Sequence, residues 1–74
     1  MFAVYVKGSD GDQYYVTAVL PSGEMRYSAL TAIYKPWVFR GIEEARAARH
    51  ASAEVSRLPA FIWKMGTAPD ETVD

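Results

Sequence analysis

Residues 42–57, IEEARAARHASAEVSR, are the one run whose apolar positions recur at helical spacing. A single helix covers a single face of a sheet. Whatever else is apolar in the 74 residues must be buried by strands, by loops or by another molecule. The covering face is itself thin. At about 100° per residue, Ala45, Ala48, Ser52 and Val55 line up, and all are small. Such a helix can approach a sheet closely, so the bulk of the core has to come from the strands. The run begins after Gly41, an acceptable N-cap, and sets Glu43 and Glu44 where the helix dipole favours acids. Pro59 disfavours helical backbone at Leu58 and ends it.

The strands are read from alternation. In FAVYVK, Phe2, Val4 and Val6 oppose Ala3, Tyr5 and Lys7, which predicts a strand with one buried face. GSDGD supplies a turn, and QYYVTAVL is rich in β-branched and aromatic residues. Its apolar face is expected to be Tyr14, Val16, Ala18 and Leu20. PSGE turns the chain again. MRYSAL returns as a third strand with Met25 and Tyr27 inward and Arg26 and Ser28 outward. In the stretch 30–39, Pro36 donates no ladder hydrogen bond, so any strand there lies at an edge or is interrupted. Alternation would put Lys35, Trp37 and Phe39 on one side and Tyr34, Pro36 and Val38 on the other. AFIWKM alternates Phe61, Trp63 and Met65 against Ile62 and Lys64, a last strand.

The expected fold is α+β: an antiparallel sheet of three to five strands with one helix on one face (β-β-β-(β)-α-β), a two-layer sandwich. Residues 1–66 form one small domain, and 67–74 an acidic flexible tail holding Asp70, Glu71 and Asp74. The expected core is Phe2, Tyr14, Met25, Tyr27, Phe61 and Trp63 beneath the alanine stripe. Half the residues are hydrophobic, ample for a packed core and unlike a disordered chain. The absence of cysteine removes disulfides and thiolate chemistry and fits a cytoplasmic location. No apolar run reaches membrane-spanning length.

Little in the chain carries chemistry. His50 is the single histidine, flanked on a helix by Arg46 and Glu54, a poor setting for a metal. SDGD resembles part of a calcium loop but lacks the third oxygen ligand and the distal glutamate, so a hairpin turn is the better reading. There is no nucleophile elbow, no phosphate loop and no dinucleotide fingerprint. Glu43 and Glu44 are adjacent on the helix and point apart. The expectation is a protein without catalytic residues, metal or cofactor.

Two kinds of partner remain. A protein-interaction module, self-associating or acting as an adaptor or inhibitor of a larger protein, would use Tyr5, Tyr15, Tyr34, Trp37 and Arg40, since tyrosine, tryptophan and arginine are the usual anchors. Compact cysteine-free chains of this sort are compatible with phage- or mobile-element-encoded inhibitors. A nucleic-acid binder would instead use the helix stripe Arg46, Arg49, His50 and Arg57, or bases stacked on the sheet tyrosines. Charge argues for the first. Without the three tail acids, the chain holds eight basic against six acidic side chains, too weak an excess for a polyanion.

Overall fold

In a computed structural model, the structure describes residues 1–31, 33–66 and, as backbone, 72–73. The elements are β1 (Phe2–Lys7), β2 (Gln13–Val19), β3 (Met25–Ser28), α1 (Ile42–Ser56), β4 (Ala60–Lys64) and β5 (Thr72–Val73). All strand pairs are antiparallel, in the order β3-β2-β1-β4-β5, with α1 packed over β1 and β4. The α+β two-layer reading therefore holds. The Cα radius of gyration, 11.1 Å, matches the ~11 Å expected of one domain of this length. Apart from Thr72 and Val73, which pair with Trp63 and Ile62, the expected acidic tail lies outside the described residues.

Both hairpins use one device. Gly8 and Asp12 close the first around Ser9, Asp10 and Gly11; Leu20 and Glu24 close the second around Pro21, Ser22 and Gly23. In each, the third loop residue is a glycine at positive φ, 89° for Gly11 and 92° for Gly23. This is the three-residue hairpin in which a turn is followed by a left-handed residue, and glycine takes that conformation without a Cβ penalty.

The helix-side core is aliphatic. Val4, Val16, Phe39, Ala45, Ala48 and Ile62 are buried together, with Phe2, Val19, Met25, Tyr27 and Ile42 packed around them. Ala45, Ala48 and Ser52 form the buried face of α1 as expected. Val55 does not belong to it and is 76% exposed. Its angular position lies at the rim of the stripe, in the last turn of the helix. Ser52 is polar but satisfied: the Tyr27 hydroxyl donates to its Oγ at 2.8 Å, and Oγ reaches Met25 Sδ at 3.9 Å. The helix stops at Arg57, whose backbone is left-handed at φ 59° and whose N–H bonds to the Ala53 carbonyl.

Four expectations about the core need correction. First, Phe61 and Trp63 point away from the helix and Ile62 fills the core, because β4 pairs with β1 in a register that turns Ile62 to the Val4 side. Second, the pairing of β2 with β3 shifts between Val16 and Ala18, so Val19 joins Val16 on the helix side in place of Ala18. A bulge inserts one residue and reverses the alternation beyond it. Third, Tyr14 is only half buried and bonds Asp10 Oδ2 at 3.4 Å in the first turn. β1 also has two buried faces rather than one, since Ala3 and Tyr5 are enclosed as fully as Val4 and Val6.

Candidate functional site

Residues 29–41 connect β3 to α1, and the described residues among them form no strand of their own. The connection begins with a tight turn made by Thr31. Its Oγ1 accepts from the N–H groups of Ile33 (3.1 Å) and Tyr34 (3.0 Å), while the Thr31 N–H donates to the Tyr34 carbonyl at 3.0 Å. Short hydroxyl side chains stabilise such turns by capturing nearby amides.

The far end is fixed by insertion. β1 and β2 pair only from Tyr5↔Tyr15 to Lys7↔Gln13. Beyond that point each strand bonds the connection instead. The Trp37 N–H donates to the Val16 carbonyl at 2.8 Å, and Phe2 and Phe39 exchange two hydrogen bonds at 2.8 Å as an isolated antiparallel bridge. Phe39 enters the aliphatic core. The simple alternation expected here therefore fails: Phe39 is buried while Trp37 is exposed.

Most of the described side chains between these anchors are exposed. Ile33 is 84% exposed, Tyr34 54% and Trp37 41%, with Leu30 and Val38 also exposed. Lys35 and Arg40 are exposed among them. A surface groove of about 400 Å³ adjoins the ridge through Tyr34 and is otherwise lined by Thr17, Ala18, Arg26, Tyr27 and Ser28. Of the partner residues expected from sequence, Tyr34, Trp37 and Arg40 lie on this connection. Leu30, Ile33 and Val38 are not among the residues to which the sequence pointed; for Leu30 and Ile33 the turn-forming Thr31 between them is the signal.

Tyr5 and Tyr15 have a different fate. They stand opposite one another on the sheet face away from the helix, as cross-strand partners must. Their rings are 5.0 Å apart; Tyr5 stacks on Phe61 at 5.3 Å, and Tyr15 meets the edge of Trp63 at 5.7 Å. Only 4% of Tyr5 and 5% of Tyr15 is exposed. They are held in the chain's own packing, together with Ala3, Phe61, Trp63 and Met65. Burial, and after it the neighbouring Tyr5, pushes the Tyr15 hydroxyl above its usual pKa.

The basic helix stripe is diluted. Arg46 lies 3.3 Å from Glu43 Oε1, and His50 Nε2 lies 3.4 Å from Glu54 Oε1. Arg49 is half buried rather than on the open face. His50, Ala53, Glu54 and Arg57 line a surface depression in which the Glu54 carboxylate accompanies the Arg57 guanidinium. Among the described residues no group of three or more histidine or acidic side chains is arranged to hold a metal ion. No helix among them is long and apolar enough to cross a membrane. No protein family model, curated protein or solved structure matches the chain.

Proposed function

We propose that this protein is a non-catalytic protein-interaction module whose contact surface is the β3–α1 connection. One observation carries the reading: five exposed apolar side chains, Leu30, Ile33, Tyr34, Trp37 and Val38, stand on a segment bonded at both ends. Exposed apolar side chains concentrated on one segment mark sites of association. Preorganised aromatic anchors reduce the entropy lost on binding. The partner is another protein chain, to which the module serves as adaptor or inhibitor. A reducing cytoplasm is the setting that the cysteine-free sequence favours.

The test is Trp37→Ala. With the partner in hand, the substitution weakens binding by at least ~2 kcal/mol if Trp37 is a hot spot, while circular dichroism of the free protein is unchanged. Retention of full affinity in a folded Trp37→Ala variant would overturn the assignment of this surface.

A further inference from the structure

We infer that the ridge takes an extended, acidic and apolar segment of a partner protein, laid along the connection and the adjoining edge of β3. The inference rests on the interaction reading above and adds the chemistry of the partner. Between Glu24 and Glu43 the chain carries Arg26, Lys35 and Arg40 and no acid. The same stretch holds every apolar residue of the ridge, so the charged side chains that the ridge segment itself carries are all of one sign. Arg26 lines the groove beside Tyr34, and Arg26, Lys35 and Arg40 are all exposed. On the helix, by contrast, Arg46 stands beside Glu43, and His50 lies beside Glu54. Charges of one sign select a partner of the opposite sign and speed its approach.

The extended form of the partner follows from the sheet. β3 is the terminal strand, and among the described residues no strand pairs with its outer side. An open edge accepts an extended peptide through backbone hydrogen bonds, with pockets beside it reading alternate side chains. The groove spans the β2–β3 pair, from Thr17 and Ala18 to Arg26, Tyr27 and Ser28, with Tyr34 at its side, and so reaches that edge strand. A second copy of the chain fits less well. A two-fold contact through the ridge would set Lys35 and Arg40 against the same cations of the other copy. A single nucleic-acid strand fits the charge and the two exposed rings, but not the aliphatic Leu30, Ile33 and Val38.

The test selects binders to the intact protein from a displayed library of random short peptides, then measures one enriched peptide against three proteins. These are the parent, a Lys35→Glu/Arg40→Glu variant and a Lys35→Gln/Arg40→Gln variant. The expected result is enrichment of peptides combining acids with apolar residues. Their amide shift changes map to Arg26–Ser28 of β3 and to the connection, with affinity about tenfold weaker in the charge-reversed variant and intermediate in the neutral one. Enrichment of basic or neutral peptides on the same residues would overturn the acidic partner and leave the interaction surface standing. So would displacement of the peptide by oligothymidylate at lower concentration than by free peptide. Absence of any enrichment on the ridge would overturn both readings.

Discussion

The two faces of the sheet are buried by different means. Beneath the helix, aliphatic side chains from β1, β2 and β4 meet alanines at close range, and Phe39 from the connection fills the remaining space. On the opposite face the described residues supply no second helix. Tyr5, Tyr15, Phe61 and Trp63 lie against one another, so that rings enclose rings and Ala3 vanishes beneath them. The faces also differ in how they treat polar atoms. Ser52, under the helix, has the Tyr27 hydroxyl as its partner. Ser28 Oγ and Trp63 Nε1, on the aromatic side, are buried without one among the described residues. An unpaired buried donor or acceptor costs on the order of 1–3 kcal/mol. The comparison teaches that large rings can close a sheet face without a covering layer, at the expense of less complete hydrogen bonding.

The largest effect expected is from breaking either face at its centre. Tyr15→Ala should destabilise by about 3–5 kcal/mol and Ile62→Ala by about 2–5 kcal/mol, read from urea unfolding. In so small a domain either loss consumes most of the stability. Near-equal costs would show that both faces are interior. A Tyr15→Ala cost below about 1 kcal/mol would show that the aromatic face behaves as surface. Next comes overpacking. Ala48→Leu forces extra volume into a close helix–sheet contact and should cost about 1–3 kcal/mol, whereas Val55→Leu, on an exposed position, should cost nearly nothing. Equal melting temperatures for the two variants would mean that the helix is seated otherwise. Smaller again is Arg57→Gly. It relieves a left-handed backbone at the helix end and should raise stability by about 0.5–1 kcal/mol in the same assay.

The last effect is confined to alkaline solution. Burial holds the Tyr15 hydroxyl above its usual range, so between the unfolded value of about 10 and the folded value the native state binds more protons. Stability is then intact below pH 10 and falls as pH rises through that window. Ultraviolet titration of tyrosinate should show one late-ionising group fewer in Tyr15→Phe than in the parent, while Tyr14, raised by the neighbouring Asp10, ionises late in both.

Period and turn chemistry made much of this fold legible. FAVYVK and QYYVTAV alternate as strands should, AFIWK does the same, and Gly11 and Gly23 sit where three-residue hairpins require positive φ. The alanine stripe announced a thin helix face. What stayed hidden depends on pairing. A bulge at Thr17 leaves no mark in the one-strand pattern, yet it decides that Val19 and not Ala18 faces the helix. Which side of β4 meets the helix follows from its register with β1, a property of two segments from opposite ends of the described chain, as the pairing Phe2↔Lys64 shows. The site was half visible. Trp37, Tyr34 and Arg40 could be named as anchors, but the exposure of Ile33 and the burial of Phe39 arise from the Thr31 turn and from hydrogen bonds to Phe2 and Val16. Tyr5 and Tyr15 looked free because the rings that bury them come from distant β4.

The pairing of Phe2 with Lys64 has a consequence for synthesis. The two hairpins of β1, β2 and β3 can form from neighbouring residues as the chain leaves the ribosome. Their aliphatic face, however, has no cover until α1 has emerged, and β1 has no second neighbour until β4 follows. Through that interval the nascent sheet presents Val4 and Val16 on one side and Tyr5 beside Tyr15 on the other, with the edge of its N-terminal strand open. An open edge flanked by apolar faces is the species most prone to pair with another nascent chain. Long-range closure of this kind also slows folding relative to a helical chain of equal length. The yield of folded protein should therefore depend on how quickly the segment after the helix is delivered, and a pause in translation before β4 should favour aggregation.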